Sequence, residues 1–505
     1  MKNLEKKQLV KWMKAAENTI MNSVLEQCPE ELENMISVNT ELLRTLELEP
    51  PEGTSGLVRW PLFLGTAMTE LNVCSITFAA LTLLIRDGKE DANEHKERNL
   101  LGSSIYSIVS LALYDVSSYE KSNYVYWPQN YVLGTRQIQS GTINQTTLCL
   151  SLLAKQGFLT KNNVSEAAYE KRIEFVVKSI KWILTLAKKS RNYYAWTYAE
   201  KAMTLDDTEK EIESAVLPTF FCVKTLNRYV ELFSEDKEVF NIVSTSYPGL
   251  IETMRKSVKL GCKYFESSQQ KDGAIGMNSA STSSSYIHSL LALEILLSDY
   301  AGREEAIYSY LDYITKGNPK KMYANAQRTV FENYRYTITR RLFEPSAGRI
   351  KSSRPSERER YEIFIETIII ISGIKIVDYL NTQNRKMKYL KKIKGLMFLA
   401  YRSLEKRVKE KSGQIRIEGR RESEEDRYPI YCIYHFSTCI YDMYNKDDIK
   451  KYFRYPYIKQ WVDSSWPFYL MAGTLILLGF ICDPVNTYIT AVFAGLSFLV
   501  GWKRK

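Results

Sequence analysis

SSQQKDGAIGMNSASTSSSYIHSLLALEILL, residues 267–297, sets a glycine turn and a run of small hydroxylated residues directly before a leucine-rich helix. Gly273 and Gly276 mark the turn, Ser283, Ser284 and Ser285 form the approach, and Leu290, Leu291, Leu293, Ile295, Leu296 and Leu297 belong to the helix. A linker would be polar on both sides, whereas this stretch opens an element built for burial. Small hydroxyl-bearing residues suit the start of a crowded helix, because they cap amides and let neighbouring backbones approach closely.

The pattern recurs along the chain. Apolar helices opened by polar loops contain Thr77, Thr147, Thr219, Tyr286, Thr367 and Thr438, at successive gaps of 70, 72, 67, 81 and 71 residues. Six equivalents at a nearly constant period signal an internal repeat. Between them lie amphipathic patterns such as AAYEKRIEFVVKSIKWILTLAKK and TMRKSVKLGCKYFES, so each unit reads as an αα-hairpin. The expected fold is all-α: an (α/α)6 double ring over residues 51–445, with apolar helices inside and amphipathic ones outside. Residues 1–50 form an N-terminal amphipathic segment, 446–463 a basic connector, and 464–505 a transmembrane helical hairpin. Four amides at the start of each inner helix lack intrahelical partners and call for caps or a ligand.

Gln269-Gln270-Lys271-Asp272-Gly273-Ala274-Ile275-Gly276 resembles the Q-x-x-D-G loop repeated in the α/α-toroid superfamily of terpenoid cyclases and protein prenyltransferase β-subunits. Gly413-Gln414-Ile415 is similar to a degenerate second copy. The resemblance covers roughly residues 50–445 and is one of fold, since such rings also occur in glycan-processing and lanthionine-forming enzymes; it implies the ring and leaves activity open. The cyclase D-x-D-D acid has no counterpart. Leu205-Asp206-Asp207-Thr208-Glu209 departs from a diphosphate-binding D-D-x-x-D at Lys210 and reads better as a solvated loop. The zinc set of the prenyltransferases is not matched. Cys432, His435 and Cys439 would share a helix face at tetrahedral-ligand spacing, but apolar packing explains them better, and no cofactor is expected. His288 reads as a core or cavity-lining residue, and no spacing singles out Glu70, Glu332 or Glu366 as an acid or base.

Composition sets further bounds. The 505 residues are 45% hydrophobic and 25% charged, with 69 Lys and Arg against 58 Asp and Glu, a formal charge of +11. This favours an acidic partner: phosphates, nucleic acid or a membrane surface. The eight cysteines stand singly without a CxxC, which fits a reducing compartment, and the N-terminus lacks the apolar core of a signal peptide.

Basic charge gathers in the loops of the last two repeats. Arg328, Arg335, Arg340, Arg341, Arg349, Lys351, Arg354 and Arg358 lie between residues 327 and 359, and Arg416, Arg420, Arg421 and Arg427 precede the sixth inner helix. Tyr323, Tyr334, Tyr336 and Tyr428 are interleaved with them. Guanidinium forks beside aromatic faces are suited to phosphates and stacked bases. At the rim of a ring, near helix N-termini, they form the candidate anion site; the alternative is a solvated or partner-facing surface.

Near the end of the chain, residues 466–482 and 485–502 are uncharged, each about long enough to cross a bilayer, with Asp483-Pro484 between them. Trp466 and Trp502 sit at interfacial positions. Lys459 on one side and Lys503, Arg504 and Lys505 on the other place both ends of the hairpin, and the ring, on the cytoplasmic side of the membrane. Gly473, Gly479, Ala491 and Gly495 suit close helix packing, so homo-oligomerisation through the hairpin is expected. The leading reading is a membrane-tethered receptor or effector whose ring binds an anionic small molecule, an oligonucleotide or a protein. That layout is similar to bacterial anti-phage effectors. A membrane-anchored enzyme acting on isoprenoid or glycan-lipid substrates and a passive scaffold are the alternatives.

Overall fold

The structure, a computed structural model, describes residues 6–24, 40–50, 57–60, 71–85, 94–114, 123–128, 130–131, 142–161, 164–197, 215–276, 284–298, 303–327, 355–383, 387–417 and 430–453. These are mostly helical. In chain order the helices are α1 (Lys6–Met21), α2 (Thr40–Thr45), α3 (Val73–Leu83), α4 (Glu94–Ser110), α5 (Ile143–Lys155), α6 (Glu166–Thr185), α7 (Val216–Glu235) and α8 (Lys237–Ser246). They continue with α9 (Leu250–Ser267), α10 (Tyr286–Ser298), α11 (Glu304–Ile314), α12 (319–327), α13 (Pro355–Thr382), α14 (Met387–Arg407), α15 (Ile430–Tyr444) and α16 (Ile449–Phe453). Eight short strands pair into two-stranded antiparallel sheets: β1 (Leu71–Asn72) with β4 (Asn130–Tyr131), β2 (Leu113–Tyr114) with β3 (Val125–Tyr126), β5 (Lys188–Lys189) with β6 (Tyr194–Ala195), and β7 (Val408–Lys411) with β8 (Gln414–Ile417).

Two kinds of helix alternate. Every residue of α3 is buried, and α10 is buried from Tyr286 to Leu296. Helices apolar all round can only be covered on all sides. By contrast, α9 buries Met254, Ser257, Gly261, Cys262, Tyr264 and Phe265 and exposes Lys256, Lys259 and Lys263, a one-sided stripe at helical spacing.

α3 and α10 belong to a set of six helices whose packing order is cyclic. α3 packs on α5, α5 on α7, α7 on α10, α10 on α13, α13 on α15, and α15 back on α3. Each also carries an amphipathic partner: α4 on α3, α6 on α5, α9 on α7, α11 on α10, α14 on α13, and α1 on α15. The sequence reading sets residues 1–50 apart from the repeats, yet α1 fills the same kind of position as α4 and α6. It is also fixed to the β7–β8 hairpin, where Ile415 N donates to Thr19 Oγ1 at 2.8 Å and Lys11 pairs with Glu410 at 2.6 Å.

One hydrogen-bonded unit recurs where an amphipathic helix hands over to the next buried one. Trp60, Trp127 and Trp196 donate their indole N–H to the carbonyls of Ile20, Ile108 and Ile183 near the ends of α1, α4 and α6, at 3.0, 2.7 and 2.8 Å. The backbone N–H of Trp127 then donates to Thr146 Oγ1, that of Trp196 to Thr219 Oγ1, and that of Ile275 to Ser289 Oγ, all within 3.0–3.1 Å. These bonds correct the repeat register. Thr219 holds its place, but its equivalents are Thr146 and Ser289 rather than Thr147 and Tyr286. Thr147 instead turns its hydroxyl back to Ile143 O in its own helix.

The opening stretch is explained by the same unit. Gly273 has φ +85, and a Cβ there would stand 2.6 Å from Ser309 O, so the turn accepts no side chain. Gln269 Nε2 donates to Gly273 O and, at 3.2 Å, to Ala306 O of α11. Ser284 Oγ donates to Gln270 Oε1 and Asp272 Oδ2, while Ser285 and His288 close the first turn of α10 with an Oγ–Nδ1 contact of 2.7 Å. Gly413, by contrast, forms a two-residue hairpin turn with Ser412 (φ 75 and 54), the left-handed pair such turns require.

Among the described residues no helix is long and apolar enough to cross a membrane. The hairpin segment 464–505, with Gly473, Gly479, Ala491 and Gly495, lies outside the described residues.

Candidate functional site

Four of the cyclically packed helices each contribute one ionisable side chain to a common cluster. Glu294 of α10 is 6% exposed; its Oε1 accepts from Lys224 Nζ of α7 at 3.1 Å and from Lys375 Nζ of α13 at 2.5 Å. Its Oε2 accepts from Ser372 Oγ at 3.3 Å. Asp442 of α15 completes the group electrostatically. The two lysine side chains are 49% and 42% exposed, although both reach a buried carboxylate on an all-apolar helix. They border space that water reaches, and because they share one carboxylate oxygen, their ammonium groups are close enough for one phosphate to bridge them.

Glu294 and Lys224 are held in their charged forms. Burial pushes the Glu294 carboxyl up, but Lys224 and Lys375 outweigh it and hold the group down at about 2. Burial likewise opposes the Lys224 ammonium, yet Glu294 keeps it above its ordinary value. Asp442 is raised, chiefly by burial, with Lys375 working the other way. Glu294 and Lys224, locked in this way, exchange protons poorly near neutrality.

Next to the cluster along α15 lies an aromatic group. The His435 ring is surrounded by Phe364 of α13 at 4.8 Å, Tyr434 at 5.2 Å and Phe78 of α3 at 6.0 Å. Burial, with Lys224 nearby, holds its pKa down at about 3. Lys155 of α5 lies 5.9 Å over the Tyr434 ring. On the same stripe of α5 as Lys155 stands Asn144, 3% exposed, whose side-chain amide has no hydrogen-bond partner. A buried amide so placed is satisfied by water or a polar ligand.

The residues singled out from sequence are distributed otherwise. Cys432 and Cys439 are buried and His435 is half-buried, and among the described residues no group of three or more His, Cys, Asp or Glu is placed to hold a metal ion. His288 is buried, which holds its pKa down at about 4. Glu366 is buried on α13, where it accepts from Tyr323 OH at 2.6 Å and faces Arg407 at 3.8 Å. Arg416 stands opposite Lys409 in the β7–β8 ladder. Arg328, Arg335, Arg340, Arg341, Arg349, Arg420, Tyr334 and Tyr336 lie outside the described residues, as do Glu70, Glu332, Asp206 and Asp207.

Sequence reasoning passed over Lys224, Glu294, Lys375 and Asp442, although a signal was there. They follow one another at gaps of 70, 81 and 67 residues, close to the repeat period, and their charges alternate in sign. Comparison with protein-family models, curated proteins and solved structures gives no match.

Proposed function

We propose that the chain is a closed (α/α)6 double ring carried on a C-terminal two-helix membrane hairpin. It works as a membrane-tethered receptor or effector with the ring and both termini on the cytoplasmic side. The cyclic packing of six buried helices, each backed by an amphipathic one, supports the ring. Its ligand is a phosphate-bearing anion, attracted by the arginine-rich segments 328–358 and 416–427 and seated on Lys224 and Lys375. Binding then acts on the hairpin through α15 and α16, which lead into the connector without a Gly/Ser linker to absorb movement.

The observation that carries this reading is the pair of half-exposed lysines bound to one oxygen of a buried carboxylate, where α7, α10 and α13 meet. Fixed, paired charges and neutral histidines favour binding over acid–base chemistry. Inorganic pyrophosphate serves as the probe. It should raise the thermal midpoint of the full chain, less so as salt increases, and the rise should vanish in Lys224→Glu/Lys375→Glu and shrink in Arg340→Glu/Arg341→Glu. An equal rise in all three proteins rejects the site.

A further inference from the structure

A second basic feature lies apart from the cluster. Lys388, Lys391, Lys392 and Lys394 occupy the first two turns of α14, beside Met387, which is 66% exposed. Lys392 Nζ donates to Thr315 O at 2.7 Å, which binds this band to the end of α11, where Lys316 is exposed. On its other flank α14 packs on α16, with the Tyr401 and Phe453 rings 5.3 Å apart. Lys451 of α16 lies close enough to Lys394 to repel its charge; burial first, and then that repulsion, lowers the Lys394 pKa.

The surrounding acids are already engaged or to one side. Asp312 takes Lys388 at 3.4 Å and the Tyr389 hydroxyl at 2.7 Å, and Asp378 takes Lys446 at 2.7 Å and the Tyr452 hydroxyl. Asp447 and Asp448 precede α16, where Asp448 Oδ1 accepts from the Lys451 amide at 3.3 Å. Among the described residues Lys391, Lys394 and Lys451 have no carboxylate partner. Three like charges held together beside an exposed methionine are a surface awaiting a counter-charge with apolar material behind it.

Position decides which partner that is. The chain leaves α16 at Phe453 and reaches the apolar segment after about ten residues, RYPYIK (454–459) being part of that path. Even fully extended, such a connector spans only about 35 Å. We propose that the face formed by the start of α14 and by α16 lies on the bilayer, where Lys391, Lys394 and Lys451 bind anionic phospholipid headgroups and Met387 meets the interface. This rests on the reading of residues 464–505 as a membrane hairpin, and it adds an orientation: the ring is held with one chosen face on the membrane.

Flotation of the full chain with phosphatidylcholine vesicles and with vesicles containing phosphatidylglycerol separates the two claims, and native mass spectrometry from detergent micelles doped equally with the two lipids tests the second. Wild type should float with both vesicle types and retain phosphatidylglycerol over phosphatidylcholine by about tenfold or more, since each basic side chain at an anionic surface adds to the preference. Lys391→Glu/Lys394→Glu/Lys451→Glu should bring that preference close to parity, as should the milder change of the same three residues to Gln. Lys256→Glu/Lys259→Glu on α9 should leave it intact. A preference that survives both triple changes, or a wild type without preference, overturns the headgroup proposal alone. A wild type that floats with neither vesicle overturns the hairpin reading, and this proposal with it.

Discussion

His288 and His435 give the molecule a measurable acid sensitivity. An unfolded chain protonates both near their ordinary value of 6.5, whereas burial keeps them neutral in the fold down to about 4 and about 3. Between these limits the unfolded state binds more protons, so stability falls as pH drops. Glu294 adds to the loss below its ordinary 4.5, because its folded value is about 2 and the paired carboxylate must be protonated on unfolding. The thermal midpoint should therefore be level with respect to these groups above about pH 7 and decline towards pH 4, with His435→Phe showing a shallower decline. Equal slopes for wild type and His435→Phe would contradict the neutral, aromatic-enclosed ring. At this scale the sequence was partly legible. Thr219 is identifiable because it stands alone before an apolar run, whereas Thr146 has Thr147 beside it and Ser289 follows a crowd of serines. Only the hydrogen bonds from Trp127, Trp196 and Ile275 separate such neighbours.

Among elements, the exposure difference between the partners of the Lys224–Glu294–Lys375 cluster has an unequal consequence. Removing the carboxylate by Glu294→Gln leaves two half-exposed ammonium groups that water can solvate, so the cost is small, about 1–2 kcal/mol. Removing both lysines by Lys224→Met/Lys375→Met strands a carboxylate that is 6% exposed, which costs about 3–5 kcal/mol or forces it to take up a proton. Denaturant unfolding should rank the lysine variant well below the glutamine variant at pH 7, with the gap narrowing as pH falls and Glu294 is protonated. Equal destabilisation would mean that the cluster is open to solvent on all sides. The buried helices were legible because an all-round apolar helix admits one environment. The amphipathic partner of α15 was not, since nothing local to residues 6–21 names the helix they cover; that assignment needs contacts separated by nearly the whole chain, such as Ile415 to Thr19.

For the whole molecule, the ring, the lysine site and the hairpin form a single proposal: a ligand seated where α7, α10 and α13 meet acts through α15 and α16 on the membrane segment that follows them. Small residues in the hairpin, Gly495 among them, then let copies pack together in the bilayer. The alternating charges at the repeat period could have been read from sequence, whereas their convergence required the cyclic packing. The most direct measurement is native mass spectrometry of the full chain released from mild detergent after expression in its own host. The account predicts more than one chain per particle, each carrying a phosphate-bearing mass increment that is not a phospholipid and that disappears in Lys224→Glu/Lys375→Glu. Bare single chains, or an increment unchanged in that variant, would contradict it.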